Sequence, residues 1–231
     1  MSDGKTIILN RIREALRENP APRPHASHTS SDREEVPRDH TPREWLPKVG
    51  ESLVEQIDLF ARQSEGLKTE LHRCGNMEDA RAILSMLTTE GGWKKIATHT
   101  TPDTSALLEK NCSEILKTDT GYRIDDLESC DAGITGCECL VAQTGAILVS
   151  APSAGGRALS VLPPHHIIIA RTSQMVPDLT AALELAKKRY GNKFPSFLSF
   201  ITGPSRTGDI ERILVLGAHG PKRLTVLLLE G

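Results

Sequence analysis

The sequence has 231 residues, of which 38% are hydrophobic, 25% are charged and only 3% are aromatic, and its formal net charge is −2 at pH 7. This composition is typical of a globular protein in water, and the balanced charge excludes the basic surface that nucleic-acid binding usually requires. The longest aliphatic runs have strand length, far short of the roughly 20 residues that span a bilayer. No long apolar stretch opens the chain, as a signal peptide would require. We therefore expect a cytoplasmic protein.

The amino-terminal part is predicted to form a short amphipathic helix and a linker, residues 1–44. Ile8 and Ile12 recur at helical spacing within residues 4–18. Residues 19–44 are rich in proline, serine, histidine and charge, and they have almost no large apolar side chain to bury. The helix can dock on a neighbouring subunit, including a second copy of this chain, or pack on its own domain. The sequence leaves both open.

Residues 45–231 are predicted to form one domain, which opens with a helix. Gly66 stands where a helix often ends in the left-handed conformation. The apolar stripe of this helix is formed by Leu46, Val49, Leu53, Ile57 and Phe60.

After this helix, apolar segments predict alternating strands and helices. A strand candidate near Leu71 is followed by a helix opened by Asn76, and a strand at 95–98 is followed by a helix entered through Pro102. This order predicts an α/β fold with a mainly parallel sheet flanked by helices. The later elements are strands at 146–149, 167–170, 197–201, 213–216 and 224–229, and a helix at 178–190.

The stretch from Gly133 to His166 predicts a shaped anion pocket. It reads GITGCECLVAQTGAILVSAPSAGGRALSVLPPHH, with tight turns and a glycine-rich bend beside one arginine. Glycine permits a positive φ and a close approach to the backbone, while arginine supplies a fixed positive charge. The alternative is a set of tight sheet connections with an exposed arginine. The candidate ligand-binding residues here are Thr144, Gly145, Gly155, Gly156 and Arg157.

Two later turns are expected to face that bend. In GPSRTGDIE a Gly-Pro-Ser turn precedes polar side chains that suit an anion-binding entry to a helix or turn, with local capping as the alternative. It is not a nucleotide P-loop, because Asp209 stands where that motif needs lysine. In GAHGP, His219 can shuttle protons, contact a ligand or serve as a structural histidine. These turns add Ser205, Thr207, Asp209 and His219 as ligand-binding candidates.

Two further features concern catalysis and pocket geometry. Glu138 can act as a carboxylate nucleophile or a general base if it faces a pocket, and a salt-bridged surface group is the alternative. Glu138 and His219 are the candidate catalytic residues. His165 and His166 are strand neighbours and point to opposite faces, so we expect one in the core and the other in a cleft.

The cysteines predict neither disulfides nor a metal site. Their odd number and irregular spacing favour a reducing compartment. Cys137 and Cys139 form a C-x-C pair upstream of two histidines, but no second pair completes a structural zinc site. The closely spaced run that an iron–sulfur cluster needs is also lacking. The five cysteines are Cys74, Cys112, Cys130, Cys137 and Cys139.

Three motifs in this order together resemble a known family. They are GITGCECLVAQTGAILVSAPSAGGRALSVLPPHHIIIA, GPSRTGDIE and LVLGAHGPKRLTVLLLEG, and they lie within Trp45 to Gly231. This combination resembles the lactate-utilization protein C family, whose domain is called LUD, and the opening segment ILNRIREAL is also similar to that family. The resemblance implies a fold similar to the NagB/RpiA/CoA-transferase group, whose α/β sheet can bind phosphorylated or CoA-like ligands.

The resemblance also implies a function. It implies a subunit of a cytoplasmic system that oxidises L-lactate to pyruvate, with iron–sulfur clusters on partner subunits and none on this chain. The sequence departs from the family at Gln143, where family members carry an acid before the Thr-Gly pair. One alternative is a stand-alone enzyme of the CoA-transferase or sugar-phosphate-isomerase type, with Glu138 as acid, base or nucleophile and Arg157 holding the anion. Another is a scaffolding protein that binds through its tethered helix.

Overall fold

The computed structural model describes residues 11, 14, 46–109, 111, 113–208, 214–216 and 220–230, with the backbone alone at 207, 208 and 214–216. The chain divides into two units, Met1–Arg43 and Glu44–Gly231. In the first unit Arg11 and Glu14 have helical backbone. The remainder of the predicted amino-terminal helix and the predicted linker lie outside the described residues.

Six strands form the main sheet of the second unit. They are β1 (Glu70–Cys74), β2 (Lys95–Thr98), β3 (Glu114–Lys117), β4 (Ala132–Thr135), β7 (His165–Arg171) and β12 (Arg223–Leu229). Their order is β1-β12-β7-β4-β2-β3, and every neighbouring pair is parallel. The predicted α/β fold with a mainly parallel sheet is confirmed.

A smaller, mixed sheet was not predicted. It consists of β5 (Cys139–Val141), β6 (Ala146–Ser150), β8 (Met175–Val176) and β9 (Leu198–Ile201). The order is β8-β5-β6-β9, with β5 and β8 parallel and the other pairs antiparallel. Two further strands, β10 (Arg206–Gly208) and β11 (Leu214–Leu216), pair as an antiparallel ribbon.

Helices connect most of the parallel strands. They are α1 (Leu53–Gly66), α2 (Met77–Gly91), α3 (Pro102–Leu108), α4 (Ile124–Glu128), α5 (Ala151–Ala154) and α6 (Leu179–Tyr190). Asn76 and Asp178 cap α2 and α6 by accepting a backbone amide, and Pro102 is the first residue of α3, as predicted. Among the described residues, no helix combines the length and the apolar character that crossing a bilayer requires.

The domain has four layers. α2 and α3 cover one face of the main sheet, where Leu84 and Ile167 share a buried cluster. The opposite face packs against α1 and the smaller sheet, where Phe60 and Ile168 lie in a second cluster. α6 covers the outer face of the smaller sheet through buried residues such as Ala182. The main sheet is therefore buried on both faces, which explains its nearly continuous aliphatic strands.

The first helix differs from its prediction at both ends. α1 starts directly after Ser52, whose hydroxyl accepts the amide of Glu55 while the Glu55 carboxylate accepts the amide of Ser52. Residues 46–50 precede this capping box and are not helical, although their apolar pattern fits the helical period. The left-handed residue is Lys68, with a φ of 67°, and not Gly66.

Candidate functional site

A pocket of about 390 Å³ lies between the two sheets, near the amino ends of β7 and β12. Its walls are mostly apolar, and one cationic side chain stands beside a few hydroxyl groups. No aspartate or glutamate belongs to the described residues that line it. Those residues are Arg157, Ser160, Val161, His166, Phe197, Leu198, Ser199, Ile201, Gly203, Pro204, Ser205, Gly220, Pro221 and Leu224.

Three segments that the sequence analysis singled out meet at this pocket. Arg157 comes from the bend after α5, Gly203 and Ser205 from the turn after β9, and Gly220 from the turn before β12. The Ser205 amide donates a hydrogen bond to the carbonyl of Pro221 at 2.8 Å, which ties the last two turns together. Of the predicted ligand-binding residues, the structure thus brings Arg157 and Ser205 to one pocket.

Arg157 supplies the positive charge of the pocket. Its guanidinium carbon lies 5.8 Å from the ring centroid of Phe197, within the range of a cation–π contact. The carbonyl of Arg157 accepts a hydrogen bond from the Ser160 hydroxyl at 3.0 Å, which helps to fix the bend. No described carboxylate pairs with its guanidinium. This side chain is therefore available to an anionic ligand.

The two adjacent histidines point to opposite faces of β7, as predicted. His165 packs edge-on against Trp93, with a centroid distance of 5.1 Å, and its Nε2 lies 2.7 Å from the Thr225 hydroxyl. His166 lines the pocket, and its Nε2 lies 2.8 Å from the Thr135 hydroxyl. Burial lowers the pKa of His165 to about 4 and that of His166 to about 3. Both rings are neutral at physiological pH.

None of the predicted glycine candidates lines this pocket, and two of them, Gly145 and Gly155, are closely packed against other elements. Gly145, with a φ of 68°, closes the turn between β5 and β6 against α1, and a Cβ there would lie 2.7 Å from the Ser64 amide nitrogen. Gly155 ends α5 with a φ of 63°, and a Cβ would lie 2.7 Å from the Cβ of His99. Thr144 belongs to the same turn between β5 and β6 as Gly145, and Gly156 directly follows Gly155.

The remaining carboxyl-terminal candidates are only partly described. The backbone of Thr207 lies in β10. The sequence predicted an anion-binding entry to a helix or turn for GPSRTGDIE, and the structure shows a strand at this position. Its pairing with β11 explains why, since the two short segments satisfy each other's backbone groups. Asp209 and His219 lie outside the described residues.

Glu138 is buried in a polar cluster away from the pocket. Its side chain is 4% exposed, and it accepts hydrogen bonds from the Ser150 hydroxyl, from the Tyr190 hydroxyl at 2.7 Å and from Arg189. Burial raises the pKa of Tyr190, and its bond to the Glu138 carboxylate adds to that rise. The carboxylate is fully engaged by its neighbours, which is typical of a structural ion pair.

The described cysteines do not form a metal site. Cys137 and Cys139 pack in different apolar clusters, so the C-x-C pair does not converge on one point. Burial raises the pKa of Cys137 and raises that of Cys139 to about 12, which disfavours the thiolate that a metal would need. Within the described ranges, no group of three or more His, Cys, Asp or Glu side chains could hold a metal ion.

Several lining residues were missed in the sequence analysis. Leu198, Ser199 and Ile201 of β9 line the pocket together with Phe197, which directly precedes that strand. The sequence predicted a strand here, but no local pattern showed that it borders a pocket. Ser160 follows Arg157 by three residues, and nothing in its local pattern indicated a pocket. His166 was singled out only as one member of a pair.

Comparison with known proteins identifies relatives. The family model described as the LUD domain matches residues 57–229. An uncharacterized protein of Neisseria meningitidis serogroup B is 30% identical, over 76% of this chain and 78% of that protein. Lactate utilization protein C of Shouchella clausii is 28% identical, over 85% of this chain and 83% of that protein. The Bacillus subtilis protein of the same name is 35% identical, over 46% of this chain and 45% of that protein.

A solved structure supports the fold. The crystal structure of a DUF162 family protein from Deinococcus radiodurans superposes with a TM-score of 0.61 at 22% sequence identity. The match covers 77% of this chain and 98% of that one. At this level of identity, the likeness concerns the fold alone.

Proposed function

Since the chain belongs to the LUD-domain family, we propose that it is a cytoplasmic subunit of a system that oxidises L-lactate to pyruvate. We further propose that it binds a small organic anion in the pocket beside Arg157. The relatives named lactate utilization protein C support the metabolic context. The binding proposal is supported by the meeting of Arg157, Ser205 and His166 at one pocket.

The observation that carries the proposal is the charge of the pocket. Arg157 is its cationic side chain, no described lining residue carries a carboxylate, and apolar side chains form most of the wall. A guanidinium offers paired donors to a carboxylate or a phosphate, and the neighbouring Ser205 hydroxyl adds a further donor. Such a site suits an anion with an apolar body.

We assign the electron transfer to partner subunits. Oxidation of L-lactate to pyruvate releases two electrons and two protons, and iron–sulfur clusters on the partners would accept the electrons. The buried, protonated thiols of Cys137 and Cys139 support a chain without a cluster of its own. In this scheme the subunit binds a substrate, product or effector anion and presents it to the complex.

The alternative of a stand-alone CoA-transferase or isomerase relies on Glu138 as acid, base or nucleophile. Its carboxylate is engaged by three side chains and does not line the pocket that holds Arg157. A group that reacts must come within hydrogen-bond reach of the substrate. The observed contacts therefore favour the subunit proposal.

A deletion strain tests the proposed function. We expect extracts of this strain to lose L-lactate-dependent reduction of an artificial electron acceptor, and added wild-type protein to restore it. The Arg157→Gln variant should restore it poorly, because it removes the charge that holds the anion. Arg123→Gln is the matched control, since Arg123 is exposed and pairs only with exposed Asp125 among the described residues.

Each part of the proposal can fail separately. If the deletion strain oxidises L-lactate at the wild-type rate, the role in lactate oxidation is wrong. If Arg157→Gln restores activity as well as Arg123→Gln does, the role of the pocket is wrong. Purification of the tagged chain from lactate-grown cells without any iron–sulfur protein would contradict the assignment of the partners.

A further inference from the structure

The pocket is lined by a histidine with an unpaired polar atom. The His166 side chain belongs to a residue that is only 1% exposed, and its Nε2 is engaged by the Thr135 hydroxyl at 2.8 Å. Its Nδ1 is buried and has no hydrogen-bond partner among the described residues. Buried polar atoms without partners are rare because they lose the hydrogen bonds that water would make. A ligand in the pocket can supply the missing partner.

The neutral state of the ring decides what that partner can be. Burial lowers the pKa of His166, so one proton is shared between two ring nitrogens. If the Thr135 hydroxyl donates to Nε2, the proton sits on Nδ1, which then donates to a ligand carbonyl. If Nε2 donates to Thr135, Nδ1 accepts from a ligand hydroxyl. No other described residue bonds the Thr135 hydroxyl, so its O–H can rotate to suit either arrangement.

We propose that Nδ1 of His166 makes the pocket select organic anions that carry a hydroxyl or a carbonyl group, and that a hydroxy acid and its matching keto acid bind about equally well. This inference rests on the proposed function, because it takes the anionic group to lie on Arg157. The rotation of Thr135 and the tautomer of His166 adapt the same site to both oxidation states of such an acid.

The size and walls of the pocket indicate an acid with an apolar body. A volume of about 390 Å³ is in the range of pockets that hold ligands larger than a three-carbon acid. Phe197, Ile201 and Leu224 form apolar surface in the same pocket as Arg157 and His166. A medium-chain 2-hydroxy or 2-oxo acid therefore matches this lining better than a fully polar anion of the same charge.

Calorimetric titration of the full chain tests the inference with three acids of equal length: 2-hydroxyoctanoate, 2-oxooctanoate and octanoate. We expect the first two to bind about five- to tenfold more tightly than octanoate, which is the usual effect of one hydrogen bond. We expect their own affinities to agree within about threefold. Octanoate serves as the reference because it has the charge and the chain but no group for Nδ1.

Two variants of His166 assign the selectivity to one atom. In His166→Gln the amide can reach Thr135 but leaves no polar atom at the position of Nδ1, so all three acids should bind about as octanoate does. In His166→Asn the amide lies near the position of Nδ1, and part of the preference should remain. The affinity for octanoate, within about twofold of wild type, verifies that each variant keeps the pocket intact.

The outcomes separate this inference from the proposed function. If Arg157→Gln weakens all three acids but the wild type shows no preference for the oxygenated ones, the inference is wrong and the anion pocket stands. If Arg157→Gln weakens none of them, the anion pocket itself is wrong. If His166→Gln does not fold, the wild-type preference and its partial retention in His166→Asn still decide the question.

Discussion

Arg157 and Phe197 are joined by a cation–π contact in which the guanidinium carbon lies 5.8 Å from the ring centroid. The two residues come from different elements, the bend after α5 and the segment before β9, and both line the same pocket. The ring therefore holds the positive charge at the pocket rather than leaving it to move in solvent. This contact links the packing of the smaller sheet to the proposed anion site.

The first prediction concerns this contact. Phe197→Leu keeps an apolar wall but removes the aromatic face, so we expect about two- to fivefold weaker binding of 2-oxooctanoate, in keeping with roughly 0.5–1 kcal/mol for an exposed cation–π pair. Calorimetric titration measures the change. Phe194→Leu is the control, because Phe194 is exposed, packs near Tyr190 and does not line the pocket. Equal effects of the two substitutions would contradict a role for the contact.

The sequence was most informative where one strong local rule applied. Asn76, Pro102 and Asp178 mark helix starts, and each does so in the structure because its side chain or fixed φ satisfies the first turn without help from the remainder of the chain. The long aliphatic strands β7 and β12 were also identified, since a strand buried on both faces needs no alternation.

The smaller sheet and the roles of the glycines could not be predicted from such local sequence rules. β5 and β8 are three and two residues long, and their pairing depends on neighbours distant in the chain. Gly155 has the predicted left-handed conformation, but its reason is contact with His99, which no local pattern reveals. Arg157 was identified from its turn, whereas its partner Phe197 became visible only in the assembled pocket.

The second prediction concerns the pH dependence of stability. The folded-state pKa values of His165 and His166, about 4 and about 3, lie below the ordinary value of 6.5, so protonation favours the unfolded chain. Their contribution to stability is complete above pH 6.5 and is lost as the pH falls toward 4. In that window, each fall of one pH unit should lower the free energy of unfolding by about 1.4 kcal/mol for each ring.

Urea unfolding between pH 6 and pH 5, which lies between the folded-state and unfolded-state pKa values, measures this slope. We expect His166→Gln to reduce the slope by about one proton, or about 1.4 kcal/mol per pH unit. A slope in His166→Gln identical to that of wild type would show that His166 is not buried as a neutral ring.

The third prediction separates structural from catalytic roles of Glu138. Glu138→Gln removes the negative charge that accepts bonds from Arg189, Tyr190 and Ser150, so we expect a loss of about 1–3 kcal/mol in the free energy of unfolding. Binding of organic anions should not change. Glu184→Gln, at an exposed position of α6, is the control. Unchanged stability together with lost L-lactate oxidation would instead favour a catalytic carboxylate.

The fourth prediction concerns close packing at Gly155. Gly155→Ala places a Cβ within 2.8 Å of side-chain atoms of His99 and Thr118 at a φ of 63°. Gly92→Ala is a matched control, since Gly92 ends α2 at a φ of 60° with open space around it. Both variants carry the left-handed strain of about 1–2 kcal/mol, and only Gly155→Ala adds the clash. Thermal unfolding should therefore give a clearly lower Tm for Gly155→Ala; equal losses would mean that the contact is easily relieved.

The fifth prediction concerns Gln143, the position at which the sequence departs from the resembled family. Its side-chain amide donates a hydrogen bond to the Pro47 carbonyl at 3.0 Å, which a carboxylate cannot do. Gln143→Leu should cost about 0.5–1.5 kcal/mol for the lost bond. Gln143→Glu should cost more, because carboxylate oxygens would face the carbonyl oxygen. If Gln143→Glu is as stable as wild type in urea, the hydrogen bond from Gln143 to Pro47 does not contribute to stability.

The central claim is that an organic anion binds beside Arg157 and His166, and the ring nitrogens of His166 report on it most directly. The measurement is a nitrogen-15 spectrum of the histidine-labelled protein during titration with 2-oxooctanoate. We predict a saturable shift of the His166 Nδ1 resonance, a much smaller change at His165 on the opposite face, and loss of the effect in Arg157→Gln at the same ligand concentration. An unchanged His166 resonance in a protein that demonstrably binds the acid would contradict the account.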